Sequence, residues 1–245
     1  YESYFESFQR LYNIPLLLHY RPAYHKTPVI AVLIDLFELA PHFRRRDVLD
    51  VLRSPYISAG FTSEQLDMLD RITLEKRLVR GSIRDWLEVI ELASSPAFDE
   101  DAIEQEPLIT QAQADDLSIL VESFLEGVTP PAYTDIESFV DWLERLIGQD
   151  PNQDPDMPDD LDDWYADDSV YCLHIARQIY EGDASTEDII RRDISALNGL
   201  KHILRHLMAT DLFLRSTLQQ TTTTTWEMFW SDLKIALENS ADPPG

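Results

Sequence analysis

Apolar residues recur at every third or fourth position along most of this chain, the spacing that gathers them on one face of a helix, and they seldom alternate as in a half-buried strand. Only 7 glycines interrupt the 245 residues. The pattern predicts an all-α fold, an irregular multi-helix domain with at most one or two short strands. Thr27-Pro28 opens the first core helix with proline at the first helical position, and Val29, Ile30, Val32, Leu33, Leu36 and Phe37 carry its apolar stripe to about Leu39. A short helix follows around Asp47 to Arg53, stopped by Ser54-Pro55. Thr62-Ser63-Glu64-Gln65 is a capping box ahead of Leu66, Leu69 and Ile72, and another helix runs from Ser82 to Leu92. Further on, Thr134-Asp135-Ile136-Glu137 caps a helix bearing Phe139, Val140, Leu143, Leu146 and Ile147. A long helix spans about Ser185 to Met208, and Thr224-Thr225-Trp226-Glu227 caps a last one with Phe229, Trp230, Leu233 and Leu237. Ile14 to Tyr20 is the one predicted strand, since Pro15 stops a helix there and Leu16-Leu17-Leu18 is a short apolar run. Glu137-x-Phe139-x-x-x-Leu143 and Glu227-x-Phe229-x-x-x-Leu233 share a frame, which reads as two ordinary capped amphipathic helices rather than a repeat.

Charge adds a division that hydropathy does not show. Acids outnumber bases by 45 to 20, a formal net charge of −25, which excludes a basic protein that coats nucleic acid. Residues 1–92 hold 12 bases and 13 acids, residues 93–170 hold 1 base and 22 acids, and residues 171–245 hold 7 bases and 10 acids. The stretch 150–168 mixes prolines with aspartates and reads as a solvated, mobile acidic loop. It separates a helical subdomain over 1–149, which follows the Ile-Pro strand, from another over 169–245. One cysteine, Cys172, rules out an internal disulfide or a thiolate metal cluster and fits a reducing cytoplasm. No run approaches the ~20 continuous apolar residues of a spanning helix, so no membrane partner is expected. Opening at Tyr1 and closing at Pro243-Pro244-Gly245, the chain reads as a piece cut from a larger protein.

Reactive constellations are sparse. No Gly-x-x-x-x-Gly-Lys phosphate loop occurs. Asp154, Asp156, Asp159, Asp160, Asp162 and Asp163 lack the glycine and terminal glutamate of a calcium loop. His202 and His206 stand four apart on a helix without a signalled third ligand, and Cys172 with His174 lacks a positioned base. Asp232-Leu233-Lys234 has the spacing of a nuclease Asp-x-Lys element but falls on a capped helix instead of a strand. No catalytic residue and no metal ligand is therefore assigned. The one basic cluster is Arg44-Arg45-Arg46, with Lys26, Arg53, Arg77, Arg80 and Arg84 in the same nearly neutral block. Lys26, Arg44, Arg45, Arg46 and Arg53 are the candidate contacts to DNA phosphates. The structural alternative is that these cations pair with Asp47, Asp50 and Glu38. No aromatic residues interleave with the cluster as a base-stacking groove would require.

Phe5-Glu6-Ser7-Phe8-Gln9-Arg10-Leu11-Tyr12-Asn13-Ile14-Pro15-Leu16, then Leu18-His19-Tyr20-Arg21-Pro22, the helix led by Thr27-Pro28, and Arg46 to Tyr56 with its Leu52-Arg53-Ser54-Pro55-Tyr56 step follow one another in a recognisable order. That order, closed by Trp226-Glu227-Met228-Phe229-Trp230-Ser231-Asp232-Leu233, resembles the helical insertion in the second RecA-like domain of AddB-type and UvrD-like superfamily-one helicase–nucleases. Asn13 stands where relatives usually carry glycine. The resemblance implies a non-catalytic accessory domain of a bacterial DNA-repair machine that processes double-strand-break ends for recombination. Within that machine the domain would guide duplex DNA or scaffold a partner subunit. ATP, Mg and any exonuclease site would lie elsewhere in the parent chain, leaving no cofactor in this segment. From the charge alone the alternative function is an acidic protein-interaction module that binds a basic partner.

Overall fold

Proline at a first helical turn costs no hydrogen bond, because the N–H it lacks would have no partner there. Helix α1 (Pro28–Phe37) begins in this way, and the Thr27 side chain makes no capping bond, so the proline and the extended Thr27 backbone set the start. The computed structural model describes residues 26–57, 59–95, 107–147, 185–218 and 223–239, with the main chain alone for 185–191, 194, 218 and 239. Eight helices and two two-residue strands make up these residues, and the fold is all-α. The predicted strand Ile14–Tyr20, the loop 150–168, Cys172 and His174 lie outside the described residues, as does the resemblance carried by residues 5–22.

Helix α2 (Arg45–Leu52) begins two residues before the predicted Asp47, because the Arg45 N–H is occupied by the Val79 carbonyl at 3.0 Å and Arg44 supplies an extended N-cap. Helix α3 (Ser63–Glu75) and helix α4 (Ile83–Ser94) both open on complete capping boxes, Thr62 with Gln65 and Ser82 with Asp85. Helix α5 (Gln111–Gly127) has no counterpart in the hydropathy reading. Its cap is a third box, Thr110 with Gln113, and Ala114, Leu117, Val121, Phe124 and Leu125 face the core. Asp115, Asp116, Glu122 and Glu126 are exposed on its outer face, where their charge breaks up the apolar period.

Helix α6 (Ile136–Ile147), helix α7 (Ser185–Leu218) and helix α8 (Trp226–Asn239) complete the set. Helix α7 continues ten residues past the predicted Met208, since no glycine or proline stops it and an Asp211–Arg215 pair one turn apart braces the extension. Strands β1 (Tyr133–Thr134) and β2 (Thr224–Thr225) pair antiparallel just ahead of α6 and α8.

Two chain segments sharing the Glu-x-Phe-x-x-x-Leu frame thus build the same unit, a short strand, a side-chain cap and a helix. Thr134 pairs with Thr224. The Ser138 N–H is capped by Asp135 Oδ1 at 2.8 Å, and the equivalent Met228 N–H by Thr225 Oγ1 at 3.4 Å. Phe139 and Phe229, also equivalent, stack with centroids 5.1 Å apart and planes at 17°. Asp135 and Thr225 are the caps, one residue beyond the expected threonines, which the strands take up instead.

A single hydrophobic cluster runs through all eight helices, including α7 through Ala196, Leu197, Leu200 and Leu204. Phe37, Phe139, Trp142, Trp226, Phe229 and Trp230 fill the region between α1, α6 and α8. Asp193 is fully buried, accepting from Tyr56 Oη at 3.0 Å and Arg192 Nε at 2.8 Å. Burial, then the Asp193 charge, pushes the Tyr56 hydroxyl up to about 12, so it stays a neutral donor.

Candidate nucleic-acid interface

An arginine in contact with a carboxylate is a weaker phosphate ligand than one whose donors are free, so the partners of the candidate cations decide their use. Arg45 turns inward. Its Nε donates to Thr73 Oγ1 at 2.9 Å, and its Nη2 meets the Asp70 carboxylate and the Asp70 carbonyl at 3.2 Å. Arg53 Nη2 lies 3.0 Å from Asp70 Oδ2 and 3.1 Å from Asp67 Oδ1. The hydrogen bond to Asp70 raises the guanidinium's pKa, helped by the Asp70 and Asp67 charges and opposed by burial. Both arginines brace α2 against α3. Arg46 pairs with Asp50 one turn on, at 3.5 Å on an exposed face. Asp70 and Asp67, not Glu38 and Asp47, supply most of this pairing, and Glu38 instead accepts from Trp230 Nε1 and Lys234 Nζ.

Arg44 is exposed and makes no ion pair among the described residues. An isolated antiparallel bridge sets it directly opposite Arg80, with the Gly81 N–H donating to the His42 carbonyl at 3.2 Å on the other side. Arg80, missed as a site residue because its separation in sequence gave no sign of the pairing, is likewise exposed and unpaired. Arg77 and Arg84 flank it on the chain, and both are exposed. Lys26 is exposed at the far end of α1, and no described contact joins it to the bridge.

Folding also brings aromatic rings to the cluster. A groove of about 480 Å³ is lined by His42, Arg44, Asp47, Trp226, Trp230 and Lys234, among others. Each of these two tryptophans is only 7% exposed, and they stack on each other at 5.7 Å and 9°. Their faces belong to the core and offer no platform for a base.

The acids beside α2 have their own electrostatics. Burial first, then Glu38, Asp47 and Asp50, raises the pKa of Asp35 above its ordinary 3.8. A carboxyl raised in this way holds its proton more tightly in the folded chain, so its charge costs stability above the folded pKa and costs nothing once pH falls below the unfolded one. Asp35→Asn is expected to stabilise the chain by roughly a few tenths of a kcal/mol at neutral pH, solvent screening keeping the gain small, and by nothing in acid. Urea titrations at the two pH values check this; an equal gain at both would assign it to packing.

The remaining candidates do not assemble. His202 and His206 are exposed on α7, and among the described residues no three His, Cys, Asp or Glu side chains converge to hold a metal ion. Asp232 is exposed on α8, and Lys234 is bound to Glu38 and lies over the Trp230 ring at 5.4 Å. No helix among the described residues is long and apolar enough to cross a membrane. No family model, no curated protein and no solved structure matches the chain.

Proposed function

We propose that this chain is a non-catalytic helical accessory domain of a DNA-repair helicase–nuclease, serving as a duplex guide or subunit scaffold, with Arg44 in contact with phosphate. The observation that carries the reading is a contact between two segments of the resemblance that lie far apart in sequence. Helix α1, from its early part, and helix α8, which closes it, pack together through Phe37 and Trp230 at 5.8 Å and through the Glu38–Lys234 pair at 3.1 Å. Early and late segments of the resemblance thus pack in one unit, which supports reading them as parts of a single accessory domain. ATP, Mg and a partner subunit belong in this reading to the parent protein.

Fluorescence anisotropy of a labelled duplex with a single-stranded end tests the DNA part. Saturable binding that weakens with salt is expected, with a dissociation constant of about 10⁻⁴–10⁻⁶ M at physiological salt, the range of sequence-independent contacts. Absence of binding at low salt would remove duplex guidance and leave scaffolding.

A further inference from the structure

Like charges set directly opposite on an antiparallel pair repel, and side chains there point to the same side. The Arg44–Arg80 bridge has this arrangement on a chain with 45 acids available to neutralise it, yet neither arginine makes an ion pair among the described residues. The backbone at this place is also strained. Among the described residues, Phe43 (φ 29°) and Arg77 (φ 58°) alone hold a positive φ without being glycine, and both lie on the segments that form the bridge. Arg77 follows the C-cap of α3, with its own N–H on the Leu74 carbonyl and the Leu78 N–H on that of Thr73. That is a Schellman turn, whose left-handed position glycine would fill without strain. An arginine there is a stability cost that a ligand contact would explain.

We infer that Arg44 and Arg80, set side by side by the bridge and flanked by Arg77, form a clamp for the phosphodiester backbone of duplex DNA. The inference rests on the proposed function above and relocates its contact: Arg45 and Arg53 brace α2 on α3, and the phosphate ligands come from two segments distant in sequence. Lys76, Arg77, Arg80 and Arg84 place four cations within nine residues, beside Arg44 across the bridge. The planar guanidinium fork suits a phosphate's paired oxygens.

The test titrates a short fluorescein-labelled duplex with the whole 245-residue chain, with Arg44→Gln/Arg80→Gln, with Arg77→Gly and with Arg145→Gln, a control on the exposed face of α6. Three phosphate contacts predict about a 40-fold loss of affinity between about 50 and 200 mM salt, falling to about 4-fold for the double variant with one contact left. Arg77→Gly is expected to raise the urea midpoint while its salt slope shrinks by about one, opposite effects that a merely structural residue would not give. A double variant that binds like the parent overturns the clamp together with the Arg44 contact, and leaves the rest of the DNA reading standing. Failure of the parent chain to bind duplex overturns both. Equal affinity for vesicles of anionic lipid overturns the assignment to DNA. Should the double variant fail to fold, an Arg77→Gly chain that binds as well as the parent is enough to overturn the clamp.

Discussion

Phe139→Ala is expected to cost about 3–5 kcal/mol, the range for deleting a buried aromatic ring. Phe139 is completely buried, stacks on Phe229 and lies 5.6 Å from Trp226. Removing it opens a cavity between α6 and α8 at the point where the two strand–cap–helix units meet, and the neighbouring tryptophans are already held by Phe37 and Trp142. With total stabilities of about 5–15 kcal/mol, such a loss is about a fifth or more of the whole, and the thermal midpoint should fall by about 10 °C. A cycle with Phe229→Ala should return a coupling of about 0.5–1.5 kcal/mol for the stacked pair. A loss below about 1 kcal/mol in urea titration would place Phe139 outside the core.

The prominence of this pair shows what hydropathy made legible. Both phenylalanines were visible as core residues of capped helices, because a period of three to four on an amphipathic helix survives without any tertiary information. Their contact was not visible. It depends on the pairing of Thr134 with Thr224, which two-residue strands do not announce, although the shared Glu-x-Phe-x-x-x-Leu frame was its trace in the sequence. Helix α5 was hidden for a different reason: acids on its outer face dominated the local composition, while Thr110-x-x-Gln113 and the spaced apolar residues carried the information. At the basic cluster, composition identified Arg44 and could not separate it from Arg45 and Arg53, whose partners Asp67 and Asp70 lie on another helix. Pairing across a fold is a long-range property. Exposure of a cation follows from it and cannot be read from the cation's own neighbours in the chain.

Trp86→Ala is expected to cost a similar 3–5 kcal/mol, and Trp86→Phe about 1–3 kcal/mol. The indole is fully buried on α4, and its Nε1 donates to the Phe43 carbonyl at 3.2 Å. Phenylalanine keeps most of the apolar area but leaves that carbonyl without its donor. The consequence reaches beyond stability, because Phe43 is the left-handed residue immediately before Arg44, and a strained backbone persists only while its surroundings hold it. With the indole bond gone, Phe43 can relax toward negative φ and carry Arg44 away from Arg80. Trp86→Phe should therefore weaken duplex binding several-fold at a temperature where the variant is still fully folded by circular dichroism. If binding is unchanged in a folded Trp86→Phe chain, the main-chain bonds Arg45 to Val79 and Gly81 to His42 suffice to fix the bridge, and the indole acts on stability alone.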